Sequence, residues 1–163
     1  MNQASGLRIY HLLKPLSMRA GQCFRYLEQT PRSLIALAAR FGTAGVFWRS
    51  GETKVEGWRV TEFTVQLFRD EYKVPVLPPE IAANIAAIAE HAFPALLVVG
   101  LASRLSALSL FLMTVVIQLF VYPQSWPEHL TWITSFLFII AYGPGRFSVD
   151  HLVRRALQRH DVF

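Results

Sequence analysis

Ile81 to Ser103, IAANIAAIAEHAFPALLVVGLAS, constrains this chain more than any other stretch. A helix of ~20 apolar residues covers ~30 Å, so the segment is long enough to cross a bilayer. Near its middle, however, stand Glu90 and His91, with Pro94 just beyond. On a helical wheel Glu90 falls at the centre of an arc of small residues, Ala82, Ala83, Ala86, Ala89 and Gly100, while Ile81, Ile85, Ile88 and Val99 take the opposite side. Bulky residues suit lipid and small ones let a neighbouring helix approach closely, so Glu90 is expected to point into protein. Pro94 has no N–H and crowds the carbonyl four residues back, so Glu90 is also expected to carry a carbonyl without its helical partner. An ionisable group inside a span marks a functional site by default.

The totals agree with a membrane setting. The chain has 163 residues, enough for one domain, with 53% hydrophobic and 17% charged residues and a mean hydropathy of +0.33. Its net charge of +5 sits beside hydrophobic segments, so it reads as membrane topology and not as a nucleic-acid surface. The single cysteine, Cys23, excludes an intramolecular disulfide and a dithiol redox pair. Arg8, His11, Lys14 and Pro15 interrupt the first apolar residues, so no signal-peptide core is expected there.

Three further segments are expected to span. Thr30-Pro31 pairs an N-cap with proline at the first helical position and opens a helix over 31–51. Arg40 lies near its middle, where ~10 residues at ~1.5 Å each separate it from either interface. A buried partner is therefore favoured over a snorkelling side chain. The third span is expected over 105–122, with Gln118 in its outer half and Pro123 as its stop. The fourth is expected over 127–142, closed by Gly143-Pro144-Gly145. Between the first two spans, Val60, Phe63, Leu67 and Phe68 recur at helical spacing against Glu62, Gln66 and Arg69, which predicts a short amphipathic helix on the membrane. The expected fold is all-α: a polytopic four-transmembrane-helix bundle over 31–145, spans near 31–51, 81–103, 105–122 and 127–142. A basic arm over 1–30 precedes it, either lying on the membrane surface or disordered, and a basic tail over 146–163 follows it.

Lysine and arginine set the orientation. The arm through Arg32 carries five, the 103–104 turn one and the tail four, whereas the 49–80 loop carries five against six acids. Both termini are therefore expected in the cytoplasm and the 52–80 loop outside it.

The stretches FWRSGETKVEGW at 47–58, EHAFPALLVVGLASRLSAL at 90–108, VYPQSWPEHLTW at 121–132 and YGPGRFSVDH at 142–151 resemble the DoxX family of bacterial four-helix membrane proteins. The resemblance covers roughly residues 33–151 and implies a four-helix bundle in the bacterial plasma (inner) membrane. It further implies association with redox systems, including quinone-linked oxidation of sulfur compounds and membrane complexes that protect against oxidative stress. Distant relatives are secretory cargo receptors or assembly chaperones, so the fold alone does not fix a reaction.

Two constellations carry the candidate chemistry. The first is Arg40 with Glu90 and His91, since antiparallel first and second spans bring mid-span positions together. It is either a buried ion pair that fixes packing or a group that handles protons or ligand. The second is Gln118, Tyr122, Trp126, His129 and Trp132 at the outer end. It is either an interfacial aromatic belt or the wall of a ligand site. Arg49 and Lys54 close the first span at that end; they could hold an anionic headgroup, although a solvated, snorkelling pair is favoured. Glu90, His91 and His129 suit a metal chemically, but no closely spaced pair supports one, and no metal is expected. No phosphate loop or nucleophile triad is present. The combined expectation is a polar cavity opening to the outer face, lined by Glu90, His91, Gln118 and His129 with Arg40 beneath. With the resemblance, it suggests a membrane subunit of a redox system, with a quinone or lipid as ligand and a partner subunit. The alternative is a structural, assembly or cargo-type membrane partner without catalysis.

Overall fold

A computed structural model describes residues 30–160, with side chains to Gln158. The basic arm and Cys23 fall outside the described residues. Four long helices dominate: α1 (Arg32–Glu52), α3 (Pro79–Val99), α4 (Ser103–Val116) and α5 (Trp126–Tyr142). Between α1 and α3 lie a two-stranded hairpin, β1 (Val55–Glu56) and β2 (Arg59–Val60), and the short helix α2 (Glu62–Leu67). A sixth helix, α6 (Val149–His160), follows the bundle. Each long helix packs against two others, in the cyclic order α1, α3, α4, α5. α1 and α3 run antiparallel, with Gly51 beside Glu90 and Arg40 beside Leu97. The shorter connections after α3 and α4 reverse the chain again, which gives an up-and-down bundle.

Helices occupy the four expected stretches to within a few residues, and the differences have local causes. The helix expected over 81–103 ends at Val99 because Gly100 takes a left-handed conformation with φ +76°. Its N–H and that of Leu101 both reach back to Leu96 O, at 2.8 and 3.0 Å, closing the helix in a Schellman turn. Pro94 lies buried inside α3, which continues through it as helix. α3, and α4 together with the turn that extends it to Val121, are long and apolar enough to cross a membrane. α1 carries Arg40 among its buried residues, and α5 has 17 residues, ~25 Å of helix.

The predicted helical wheel of α3 holds: Ala82, Ala83, Ala86 and Glu90 are buried, whereas Ile81, Ile85, Ile88 and Val99 are exposed. Two cores result. Ala44 and Phe47 of α1, Leu97 of α3, Leu110 of α4 and Phe136 and Ile139 of α5 fill the centre. Phe68 packs with Ala82, Ala83 and Ala86 in the second. The segment between α1 and α3 is thus folded against α3 and is more than a surface helix. Lys54, Thr64 and Phe68 are its buried positions, while Phe63 of the predicted apolar face is exposed. The hairpin within it turns at Gly57, φ +62°, with Val55 opposite Val60.

Candidate functional site

Lys54 and Glu90 form the buried polar centre of the protein. Gly51 brings them together. A Cβ built at Gly51 would stand 2.8 Å from His91 Cε1 and 3.1 Å from Glu90 Cβ, so only glycine lets the end of α1 approach α3 this closely. Beyond Gly51 the chain turns back, and the Lys54 carbonyl accepts from Thr61 N–H and from the Thr64 hydroxyl, each at 3.1 Å. Thr61 in turn caps α2 by accepting from Thr64 N–H. With its backbone fixed from that side, Lys54 sends its ammonium inward, 2.8 Å from Glu90 Oε2. It also donates to Ser50 O and Ser50 Oγ at 3.2 and 3.1 Å. The contact with Glu90 is an ion pair without hydrogen-bond alignment, and Glu90 Oε2 has no hydrogen-bond partner among the described residues.

This geometry corrects two expectations. Arg40 does not pair with Glu90. Its guanidinium donates to four backbone carbonyls, those of Leu97, Val98, Pro144 and Phe147, at 2.6 to 3.0 Å. Leu97 and Val98 end α3, where carbonyls lack their full helical partners and Leu97 O has only a share of the Gly100 N–H, so a planar fork of five donors suits the place. Lys54, expected to snorkel into solvent, is 7% exposed. The reason is the hairpin and α2, which cover it.

Glu90, Lys54 and Ser50 form one end of a cavity of about 220 Å³ whose other walls are mostly apolar, among them Phe68, Ala86 and Met113. Tyr72 and Tyr122 complete its polar lining. Both arrive on widened turns: Lys73 N–H bonds to Phe68 O and Tyr122 N–H to Ile117 O, each five residues back. The Tyr122 hydroxyl lies 3.3 Å from both Tyr72 Oη and Glu71 Oε1, and the two rings meet edge to face at 5.7 Å. Burial and the bond to Tyr122 push the Tyr72 phenol above its ordinary pKa, so it stays protonated. Ser50 and Tyr72 escaped the sequence reading. Ser50 is four residues from Lys54, a spacing that could have flagged it.

A second cavity, about 360 Å³, shares Ser50, Ile117 and Tyr122 with the first and holds His129 and Trp132. Gln118 Nε2 donates to Pro123 O at 2.7 Å, which turns its carbonyl toward His129 Nδ1 at 2.6 Å. The ring therefore carries its proton on Nδ1, leaving Nε2 as its acceptor. Trp132 packs on His129 and on Phe47, at 5.1 and 5.5 Å. Trp126 is 60% exposed and lies outside both cavities. His91 faces away from Glu90's cavity, into a third one with Trp48 and Trp58, and its Nδ1 bonds to Ala87 O at 2.7 Å. Among the described residues, no three His, Cys, Asp or Glu side chains are grouped to hold a metal ion.

The family model described as DoxX matches residues 35–123, more than half of the chain. The chain belongs to the DoxX family. A DoxX protein with two helices of this length and apolarity is a membrane protein in contact with the lipid bilayer. It is also similar to a protein of Haemophilus influenzae described as uncharacterized, 28% identical over 129 residues, covering 73% of this chain and 83% of the relative. No solved structure matches it.

Proposed function

We propose that this DoxX protein crosses the plasma membrane four times with both termini in the cytoplasm, and that the Lys54–Glu90 cavity binds the polar head of a membrane-soluble ligand of a redox system. The observation that carries the reading is Glu90 Oε2: a carboxylate oxygen buried beside its counterion, yet without a hydrogen bond among the described residues, at the end of a mostly apolar cavity. Such an oxygen suits a ligand hydroxyl, and a flat apolar body fits between Phe68, Tyr72 and Met113. Ile85 and Val116 also line the cavity and are exposed on the bundle's exterior, which supports entry from lipid. A quinone would supply two-electron chemistry there. The chain's part is to hold the head: Glu90 accepts or returns a proton, Lys54 keeps a negative oxygen in place, and Tyr72 and Tyr122 remain neutral donors.

Binding of a short-chain quinone analogue to the detergent-purified protein tests this. Its addition should raise the melting temperature and change tryptophan fluorescence, and Glu90→Gln should weaken both effects while the protein still folds. If the analogue does neither and no quinone co-purifies, the polar centre only joins α1 to α3. The protein is then an assembly partner of other membrane proteins, a reading favoured by the ion pair's position between two helices.

A further inference from the structure

At the other end of the bundle, α6 is tied to the turn between α3 and α4. Ser148 caps it, accepting from His151 N–H, and Asp150 N–H bonds to Gly100 O at 2.9 Å. The Asp150 carboxylate accepts from Ala102 N–H and Ser103 N–H, at 2.8 and 2.9 Å, and so caps α4. The helix thus fixed is strongly amphipathic. Leu152, Val153 and Leu157 lie on one side and are exposed, while His151, Arg154, Arg155 and Gln158 take the other.

Between α6 and the start of α4 runs a groove of about 380 Å³, lined by Leu101, Leu105, Val153 and Leu157 with Arg104 and Arg154. Arg154 also lines a neighbouring polar recess with Arg146 and His151. Ser103 lines the groove too; it is fully buried, and its hydroxyl has no hydrogen-bond partner among the described residues. The acid in the groove, Asp150, is already engaged by two amides. What remains is an apolar trough with two cations and a free hydroxyl, beside the first turn of a helix able to cross the membrane.

We infer that this groove is a binding site for one anionic phospholipid of the surrounding bilayer. Its phosphate sits between Arg104 and Arg154, the Ser103 hydroxyl donates to a head-group or ester oxygen, and an acyl chain follows Leu101, Leu105 and Leu157. Charge and place select the occupant: the groove lies where a span ends, at headgroup level, and its uncompensated charge is positive. In the orientation proposed above this is the cytoplasmic leaflet. The site does not depend on the Lys54–Glu90 ligand.

The test is native mass spectrometry of the full chain in mild detergent, titrated with phosphatidylglycerol or with phosphatidylcholine of the same acyl chains. Phosphatidylglycerol should bind as a single tight adduct, preferred by roughly fivefold or more for each arginine engaged. Arg104→Gln with Arg154→Gln should bring the two lipids to parity, and Ser103→Ala should weaken the adduct less. Arg59→Gln, at the hairpin, should leave it unchanged. The three arginines are exposed and can be changed without disturbing the core, Ser103→Ala removes one buried oxygen, and a melting scan checks the fold of each variant. Equal binding of both lipids by the unaltered protein, or a preference that survives the double substitution, overturns the inference.

Discussion

Lys54 Nζ stands 2.8 Å from Glu90 Oε2, with the two side chains 9% and 3% exposed. This pair links the end of α1 to the middle of α3, and the lysine is held on one side by Thr61 and Thr64 and on the other by Ser50. Both residues are buried where they meet.

Removing both partners should therefore cost less than the two single losses combined. Lys54→Met leaves a buried carboxylate unmatched and Glu90→Leu a buried ammonium, each costing on the order of 3–5 kcal/mol. The double variant should lose clearly less than the sum, measured by reversible unfolding in mixed micelles. Additive losses would mean the pair is not formed. Arg40→Met combined with Glu90→Leu should be additive, because those residues share no partner.

Arg40 should act as a clamp. Four carbonyls from α3 and the 144–147 loop converge on it, and a Cβ at Gly100 would come within 2.6 Å of its Nη2. Arg40→Lys keeps the charge but offers three donors on a flexible stem, so at least one buried carbonyl is abandoned, at about 1–3 kcal/mol. Gly100→Ala should be worse, since it adds the strain of positive φ to the collision. Thermal melts of both variants check the order. An Arg40→Lys protein as stable as the parent would show that the guanidinium fork is dispensable.

Much of this fold was legible, for reasons that residues make plain. The small-residue arc around Glu90 has a helical period over twenty positions, and that long repeat predicts which face of α3 is buried. Arg40's burial was legible too, from its distance to either interface. Its partner was not: backbone carbonyls at a helix end are invisible to a reading that matches side chains by charge. Lys54 was misjudged for a related reason. The hairpin that buries it has strands of two residues each, too short to show any alternation, so the loop read as solvated. That Gln118 and His129 meet was legible because Pro123 and Pro127 mark the turn that brings the ends of their two helices together.

Gly51 should resist substitution although it lies at a helix end. Alanine there puts a methyl against the His91 ring and Glu90 Cβ, and the packed helices must part, costing ~1–3 kcal/mol. His91→Ala should recover part of that loss in the double variant. If Gly51→Ala melts like the parent, α1 and α3 do not approach as closely as described.

The proposed orientation predicts labelling. With Cys23→Ser as background, Asp70→Cys should react with a membrane-impermeant maleimide added outside intact cells, and Arg104→Cys only after the membrane is opened. Both positions are exposed in the fold, so accessibility depends on the side of the membrane. The reverse pattern would invert the topology.

The final prediction concerns the His129 ring, which is 3% exposed yet belongs to a cavity wall. Gln118 decides its state. Its amide N–H is committed to Pro123 O, so only its carbonyl oxygen is left to face Nδ1, and the neutral ring must carry its proton there. Nε2 then presents a lone pair at the edge of the cavity, positioned by Trp132 against the ring face. Nitrogen chemical shifts of labelled His129 should report the Nδ1–H tautomer in the parent protein. Gln118→Leu should lose it in favour of the Nε2–H form common in water. The same substitution should weaken retention of a ligand that donates to Nε2, without changing expression. A parent protein already in the Nε2–H form would mean that the glutamine amide is turned the other way and that His129 offers the cavity a donor instead of an acceptor.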